Sequence, residues 1–445
     1  MTNSTLLRTA IFGSDRCTAA GAIAASGVLL VALIGCSALP CPAQTFSVIH
    51  SFTGHDGANP IVGLTLDAAG NLYGTTEFGG GHGCNIGDCG AVFKLTHRGS
   101  GWVLSLLYAF TGGQDGQFPS ARVTFGPDGT LYGTASTGPS NDYYGTVYNL
   151  RPPASVCKSV SCSWTETTIF PFNFATGYYP SGDLIFDAYG HMYGTTSSGG
   201  EFQNCGGGGC GVVYRLTLSG GVWTEDILYN FTDGVDGGHP SSGVLFDHAG
   251  NLYGTASIDN FQGSSGGAVF ELTPSGSGWT QTALYHFHDA SDGSGPYGGL
   301  IFDASGNLYG TTAYGGSGDG GTVFELSPSG GTWNFNLLSS LTGLPGGYLG
   351  PYGKLVQDNA GNLYGSSVSG GTYNYGYVFK LTPSNGGWTL TDLHDFTNGS
   401  DGAWPYDGLV IDASGKLYGT TFVGGSPGEG CYYGFNCGVV FEITP

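Results

Sequence analysis

The segment Gly299-Leu-Ile-Phe-Asp-Ala-Ser-Gly-Asn-Leu-Tyr-Gly-Thr-Thr312 contains two short apolar runs with a turn sequence between them. Both runs are rich in aromatic and branched side chains, as strands are, and Ala-Ser-Gly is a turn signal. Asp303 precedes Gly306 by three positions. This spacing suits a type I turn followed by a glycine with positive φ, which makes a tight hairpin. The segment therefore predicts two antiparallel strands.

This segment recurs seven times in the 445-residue chain, at intervals of 54 to 61 residues. Two further strand-like segments follow in each copy except the last, as Gly321–Ser327 and Trp333–Leu338 do in the fifth. Four short strands per unit at this period are typical of a β-propeller. Each copy carries Leu-Tyr-Gly (Met-Tyr-Gly in the third), at Tyr73, Tyr132, Tyr193, Tyr253, Tyr309, Tyr364 and Tyr418.

The two ends of the repeat region indicate how the ring closes. The last copy ends with its third strand, Val439–Ile443, and lacks a fourth. The segment Thr45–Phe52 matches fourth strands such as Trp388–Phe396. We therefore predict an all-β, seven-bladed β-propeller with four antiparallel strands per blade, whose last blade is completed by the N-terminal strand in a 3+1 arrangement. The alternative, a parallel β-helix solenoid, would instead carry atypical capping repeats at both ends.

Large aromatic residues recur once per copy and are predicted to fill the space between blades, where each buries about 150–250 Å². They are the Tyr of Leu-Tyr-Gly and the Trp that opens most fourth strands, namely Trp102, Trp164, Trp223, Trp279, Trp333 and Trp388. The pattern Asp-x-x-Gly-Asn-Leu-Tyr-Gly-Thr-Thr, then Gly-Gly, then Gly-x-Val-Phe-x-Leu-Thr resembles the GloVer-type tandem repeat of secreted bacterial proteins. The resemblance covers essentially all of residues 44–445 and implies a repeat fold and export.

Residues 1–43 are predicted to be a signal peptide. Arg8 and Arg16 precede an apolar stretch at residues 28–34, as in an export signal. Cleavage after Ala43 leaves an even number of cysteines, which fits complete pairing into disulfides. Residues 44–445 are then predicted to form a single propeller domain. The alternative is a lipobox ending in Cys36, which would make a lipoprotein and leave Cys41 unpaired. We expect a secreted protein, extracellular or periplasmic.

The charge balance excludes some classes of partner. The chain has 32 Asp and Glu residues and 11 Lys and Arg residues, which gives a net charge of −21. Such a surface repels phosphate backbones and anionic lipids, so nucleic acid is not an expected partner. Outside the first forty-odd residues no apolar run is long enough to cross a bilayer. A monomer that binds cations or neutral polymers such as glycans fits this composition.

The eight cysteines after residue 43 lie in four close pairs: Cys84/Cys89, Cys157/Cys162, Cys205/Cys210 and Cys431/Cys437. Close pairing within one loop of an exported chain predicts four local disulfides. Each closes a short loop and adds only about 2 kcal/mol, so they staple loops rather than determine the fold. Zinc held by His82, Cys84 and Cys89 is the alternative, at a wider spacing than the usual zinc knuckle.

Each copy of the repeat has a proline ahead of its first strand. In five copies an Asp-Gly motif precedes this proline, at Asp56, Asp115, Asp236, Asp292 and Asp401. Carboxylates that ring one face of a propeller could hold Ca²⁺, which takes several oxygen ligands. Asp-Gly also simply makes a turn. Two copies have Thr176-Gly177 and Pro345-Gly346 instead, which favours the turn. No other cofactor is indicated.

The loops of that same face vary in length and are rich in aromatic residues, and variable loops on a rigid scaffold are where binding usually evolves. The candidate ligand-binding residues are Tyr179, Tyr314, Tyr373, Trp404, Tyr406 and Tyr433. We predict an extracellular binding module for a glycan or a protein. A lyase or glycoside hydrolase acting on a polysaccharide, and a purely structural surface protein, are the alternatives. No catalytic residue is identified, because the histidines have no repeated carboxylate partner.

Overall fold

The structure is a computed structural model that describes residues 44–81, 89–138, 144–153, 164–201, 205, 208–258, 266–276, 278–288, 291–343, 349–428, 431 and 435–445. The described residues form strands, turns and loops only, arranged as seven four-stranded units, with one additional short strand in the second. The predicted signal peptide, residues 1–43, lies outside them.

The strands are given blade by blade. Blade 1 has β2 (Thr65–Leu66), β3 (Leu72–Thr76), β4 (Ala91–Arg98) and β5 (Gly101–Ala109); blade 2 has β6 (Gln117–Pro119), β7 (Thr124–Phe125), β8 (Leu131–Thr137), β9 (Thr146–Arg151) and β10 (Thr165–Pro171). Blade 3 has β11 (Ile185–Phe186), β12 (Met192–Thr196), β13 (Val212–Ser219) and β14 (Val222–Asn230); blade 4 has β15 (Leu245–Phe246), β16 (Leu252–Ala256), β17 (Ala268–Ser275) and β18 (Gly278–His286). Blade 5 has β19 (Ile301–Phe302), β20 (Leu308–Thr312), β21 (Asp319–Ser329) and β22 (Thr332–Thr342); blade 6 has β23 (Val356–Gln357), β24 (Leu363–Ser367), β25 (Tyr377–Ser384) and β26 (Gly387–Asp395). Blade 7 has β27 (Val410–Ile411), β28 (Leu417–Thr421), β29 (Val439–Thr444) and β1 (Thr45–Ser51).

Each blade is an antiparallel meander, and the seventh closes the ring. In blade 7 the order is β1-β29-β28-β27, with Thr45 opposite Thr444 and Ser51 opposite Val439. Consecutive blades touch all the way round, including blade 7 with blade 1 through β1 and β5. The predicted seven-bladed propeller with 3+1 closure is confirmed, and the solenoid alternative is wrong. A closed ring leaves no blade without a neighbour to cover its face.

The hairpin between the first two strands of a blade is held by its Asp. In blade 5, Oδ1 of Asp303 accepts the backbone N–H groups of Ser305 at 2.8 Å and Asn307 at 2.9 Å. Its Oδ2 accepts the Asn307 side-chain amide at 2.8 Å and the Tyr309 hydroxyl at 3.2 Å. Burial alone would raise the pKa of Asp303, but these hydrogen bonds hold it below its usual value. The carboxylate therefore fixes both the turn and the motif tyrosine.

The glycine of Leu-Tyr-Gly is required by packing. A Cβ built on Gly310 would lie 2.5 Å from Cζ of Phe324, the ring that packs over it from the third strand. A Phe or Tyr ring covers the corresponding glycine in each of the seven blades. Because real Cβ atoms do not approach another carbon so closely, only glycine fits there.

The recurrent Tyr and Trp residues pack between blades, as predicted. Trp102 of blade 1 lies edge-to-face against Tyr418 of blade 7, with ring centroids 5.8 Å apart. The rings of Trp388 and Tyr309, from blades 6 and 5, are 6.2 Å apart in the same geometry. All seven motif tyrosines are at most 5% exposed. The tyrosine rings are therefore part of the core and cannot stack on a ligand.

Two of the predicted disulfides are present among the described residues. Cys205 pairs with Cys210 and Cys431 pairs with Cys437, with Cα–Cα distances of 5.3 and 4.9 Å. Cys89 is also disulfide-bonded. The proposed zinc ligands His82 and Cys84 lie outside the described residues, as do Cys157 and Cys162. In the described part of the chain, no helix has the length and apolar character needed to cross a membrane.

Candidate binding site in the central cavity

The innermost strands of all seven blades surround a central cavity of about 1190 Å³. Most of the lining residues come from the first strand of each blade and from the segment that leads into it. Counted from the proline that opens each segment, the first, third and fifth following positions each supply one residue per blade, and we call these three sets of seven the upper, middle and lower levels.

The upper level is chemically divided into two arcs. Its members are Ile61, Ser120, Ser181, Ser241, Tyr297, Tyr352 and Tyr406, in blade order. Blades 5, 6 and 7 therefore present a tyrosine arc, and blades 2, 3 and 4 present a serine arc. An aromatic wall thus faces a polar wall across one opening.

The tyrosine arc is continuous. The rings of Tyr297 and Tyr352 stack with centroids 4.7 Å apart and planes at 12°. Tyr406 meets Tyr352 edge-on at 6.1 Å. The hydroxyl of Tyr314 lies 3.2 Å from that of Tyr352. Burial, together with hydrogen bonding and neighbouring tyrosines, raises the pKa of Tyr352, so its hydroxyl stays protonated and able to donate.

Two hydroxyl groups of the serine arc tie neighbouring blades together, and that of Ser241 donates to the carbonyl of His239 in its own loop. Oγ of Ser120 donates to the carbonyl of Pro180 at 2.6 Å, and Oγ of Ser181 donates to the carbonyl of Ser241 at 3.3 Å. A hydroxyl that donates its proton still has lone pairs to accept with. This arc therefore offers acceptors to a ligand with hydroxyl donors.

The middle level holds a group of charged residues that we call the charged belt: Arg122, Asp183, Lys354 and the adjoining Asp407. Arg122 donates from Nε to Oδ2 and from Nη2 to Oδ1 of Asp407, both at 2.9 Å. Its backbone N–H donates to Asp183 at 3.2 Å, and its Nε lies 3.7 Å from Oδ2 of that residue. Burial would favour neutral forms, but the two carboxylates raise the pKa of Arg122, so it stays charged.

Glycine makes this arrangement possible. The level has Gly63, Gly243, Gly299 and Gly408 in the other four blades. A Cβ on Gly63 would lie 2.7 Å from Cζ of Arg122, so the guanidinium crosses blade 1 in the space that the missing side chain leaves. Asp407 also accepts the backbone N–H of Gly63.

Lys354 is the member of the belt that differs from the others. It makes no hydrogen bond or ion pair with any residue that the structure describes, and Asp183, Arg122 and Asp407 act on it only at longer range. A Cβ at Gly299 would lie 3.5 Å from its Cδ, so its stem runs over blade 5. Burial lowers the pKa of its ammonium group.

Two further features complete the cavity. Glu77 lines its wall, and burial raises the pKa of this carboxyl to about 7. The lower level is mostly aliphatic, with Thr65, Thr124, Ile185, Leu245, Ile301, Val356 and Val410. The cavity therefore passes from an aromatic and hydroxyl-lined opening through a charged belt into an apolar lower part.

The five candidate calcium aspartates lie elsewhere and are kept apart, one per inter-blade loop. Asp115 accepts the Tyr108 hydroxyl at 2.9 Å, and Thr111 through both its N–H and its hydroxyl at 2.7 Å. The others, Asp56, Asp236, Asp292 and Asp401, accept equivalent bonds from their own loops and from an outer-strand Tyr or His. No group of three His, Cys, Asp or Glu residues suited to a metal occurs within the described ranges. Their geometry is that of turn caps, and calcium binding stays a prediction.

The predicted aromatic binding residues divide between the cavity and the outer loops. Tyr406 lines the cavity, and Tyr314 touches the tyrosine arc. Trp404 packs against Phe435, with ring centroids 5.7 Å apart. Tyr179 and Tyr373 are 41% and 53% exposed on their loops. Tyr433 lies outside the described residues.

The charged belt was missed at the sequence level, although a signal for it exists. In four of the seven blades a glycine precedes the buried Leu or Val that lies directly before the first strand. Arg122, Asp183 and Lys354 replace that glycine. A charge at a position that the repeat fills with glycine, facing the axis of a ring, marks a specialised site.

These features define a class of protein: a seven-bladed propeller with a specialised central cavity. The Gloeobacter/Verrucomicrobia repeat profile matches residues 37–206 and 160–349, and the chain belongs to that family. No curated protein matches the chain.

Several solved structures share the fold at low sequence identity. A fungal alcohol oxidase in complex with copper is 14% identical, with 90% of this chain and 76% of that chain covered and a TM-score of 0.52. A protein of unknown function from Dyadobacter fermentans is 13% identical, with 91% and 100% covered and a TM-score of 0.43. A protein from Lactobacillus plantarum is 14% identical, with 74% and 84% covered and a TM-score of 0.47. At such identities the likeness concerns the fold alone.

Proposed function

We propose that the protein is an extracellular binding module that holds a glycan at the upper level of its central cavity. The observation that carries this proposal is the division of that level into a tyrosine arc and a serine arc. A sugar ring has an apolar C–H face and a rim of hydroxyl groups, so it matches an aromatic wall opposite hydrogen-bonding partners. Local disulfides fit an exported protein.

The inter-blade loops surround this opening and extend the surface. The segments before the first strands pair with the loops after the second strands, as Ser294 does with Tyr314 and Ala403 with Val423. Both sets of loops therefore share one face with the cavity mouth. This placement lets the exposed Tyr179 and Tyr373 contact further sugar units of a longer glycan.

A glycan array with residues 44–445, followed by calorimetry with the best ligand, tests this proposal. We expect Tyr352→Ala to weaken binding by about tenfold or more, since it removes the centre of the tyrosine arc. Tyr189→Ala is the matched control, because Tyr189 is 87% exposed in the opposite hairpin turn of blade 3. Loss of affinity in both variants, or in neither, would contradict the assignment. Silence across the whole array would favour the structural alternative.

A hydrolase or lyase acting on polysaccharide is the second candidate, and Glu77 favours it. A carboxyl with a pKa of about 7 in a ligand cavity has the proton affinity that a general acid needs at neutral pH. Arg122 with Asp183 and Asp407 supplies charge in the same cavity. Release of new reducing or unsaturated ends from the bound glycan, abolished in Glu77→Gln, would establish this activity. Binding of the glycan without its cleavage would support the binding module and not the enzyme.

A further inference from the structure

We propose that Lys354 anchors the carboxylate of an acidic sugar, so that the glycan of the proposed function ends in a uronic acid. This inference rests on that function and adds the chemical class of the ligand. It follows from the difference between Lys354 and the other members of the charged belt.

Arg122 and Asp407 satisfy one another, whereas burial raises the pKa of Asp183. Both carboxylate oxygens of Asp407 accept from Arg122 at 2.9 Å, and Asp183 accepts a backbone N–H of the same residue. The Arg122 side chain is only 11% exposed. A ligand that sought this guanidinium would have to displace an existing bidentate pair, which is among the strong hydrogen-bonded arrangements in proteins. Arg122 is therefore part of the wall.

The N–H donors of the Lys354 ammonium group are not used by other residues that the structure describes. An ammonium group carries three N–H donors and no acceptor, and among the described residues none receives them at contact distance. A cation held in a partly desolvated site, with carboxylates acting on it only at longer range, costs free energy, which an anionic ligand in direct contact recovers. The stem of Lys354 lies over Gly299, two residues after Tyr297 of the tyrosine arc in the same segment, and all three residues line the cavity. On this proposal, a sugar stacked on the arc has its carboxylate on the side of the charged belt, where this ammonium receives it.

The charge of the whole chain limits the length of such a ligand. The net charge of −21 repels a long polyanion. Below the belt, the lower level is mostly aliphatic and does not accept further charge. One carboxylate on a terminal or short acidic glycan meets both conditions, whereas a continuous polyuronate does not.

Calorimetry with matched pairs of oligosaccharides tests the inference. An oligomer that ends in a single galacturonic acid is compared with its galactose-terminated counterpart, and a glucuronic-acid-terminated oligomer with its glucose-terminated counterpart. We expect the wild-type protein to prefer the acidic member of at least one pair by about tenfold. Lys354→Met should remove this preference, and Lys354→Arg should keep part of it. Lys380→Met is the control, because Lys380 lies 5.5 Å from the Tyr364 ring on blade 6, outside the cavity.

The outcomes separate this inference from the function on which it rests. Equal affinity for both members of each pair, with binding still lost in Tyr352→Ala, would overturn the role of Lys354 and keep the glycan site. Acid preference that survives Lys354→Met would also overturn it. Failure of every oligosaccharide to bind wild-type protein would overturn both proposals. Unchanged thermal unfolding of the Lys354 variants confirms that they are folded.

Discussion

Arg122 and Asp407 lie 285 residues apart in the chain and form a two-bond ion pair across the central cavity. They belong to blades 2 and 7, and the guanidinium passes over Gly63 of blade 1 between them. The pair therefore links the blades on either side of blade 1, next to the place where the ring closes through β1 and β29. It is a brace for the ring as well as part of the site.

Replacing Asp407 by Asn should destabilise the protein substantially. The variant leaves the mostly buried Arg122 with Asp183 as its nearest carboxylate, at 3.7 Å. Removing one partner of a buried pair typically costs about 3–5 kcal/mol, so we expect a loss of about 3 kcal/mol or more in the free energy of unfolding. Urea unfolding measures it.

The matched control for this prediction is Asp226→Asn. Asp226 pairs with Arg215 at 2.8 Å, but the two side chains are 55% and 32% exposed. Exposed pairs contribute at most about 1 kcal/mol. Equal losses in the two variants would show that the charged belt does not brace the ring.

Gly310→Ala should destabilise blade 5 through overpacking. The new methyl group would lie 2.5 Å from the Phe324 ring, so the two sheet strands must shift or the ring must leave its position. Overpacking of a core costs about 1–3 kcal/mol. Gly278→Ala, at a strand start with no atom within 4 Å of the new Cβ, should leave the stability unchanged or slightly higher. Thermal unfolding compares the stability of the two variants. A Gly310→Ala variant as stable as the wild type would refute the packing explanation for the glycine of the motif.

The repeat could be predicted from sequence because its determinants are local. Asp303, Gly306 and Tyr309 lie within seven positions of one another, and together they specify the turn, the hairpin and the inter-blade ring. Even the closure was predictable, because a missing fourth strand at one end matched an extra strand at the other. The seven-fold recurrence made each local signal visible seven times.

The cavity could not be predicted in the same way, because its contacts join residues that repeat periodicity treats as unrelated. Nothing near Arg122 in the sequence indicates Asp407 as its partner. The serine and tyrosine arcs become visible only when one position per blade is read around the ring. The sequence identified Tyr406 only as one aromatic among many, and it left the aspartates of the inter-blade loops as either turn residues or calcium ligands.

Asp115→Ala distinguishes the turn role of the inter-blade aspartates from calcium binding. The variant removes the acceptor of Tyr108, Thr111 and Gly113 and leaves their donors without it. Unsatisfied buried donors cost about 1–3 kcal/mol. For a turn cap we expect this loss to be the same in millimolar calcium and in chelator. Calcium binding at this loop would instead stabilise the wild-type protein and not the variant, by thermal unfolding in the two buffers.

Acidification should weaken the closure of the ring at His394. The ring of this residue, on β26, stacks on Phe46 of β1 with centroids 3.6 Å apart and planes at 6°. Burial lowers the pKa of His394 below its usual 6.5, although Asp401, which lies 3.2 Å from Nε2, and the nearby Asp395 oppose the shift. The folded protein thus binds this proton more weakly than the unfolded chain does. The contribution of the neutral His394 ring to the free energy of unfolding is therefore fully present above pH 6.5, and it is lost as the pH falls through the lowered pKa.

Urea unfolding at pH 8 and pH 5 measures this loss. His394→Phe keeps an aromatic ring against Phe46 but cannot titrate, so the difference in unfolding free energy between the two pH values should be smaller in this variant than in the wild type. His248→Gln, an exposed change in the blade 4 hairpin, should retain the wild-type difference. A wild-type difference unchanged in His394→Phe would place the acid sensitivity elsewhere.

Because β1 is the strand that closes the ring, a loosened Phe46–His394 stack should also appear as faster proteolysis near residue 44 at pH 5, before global unfolding.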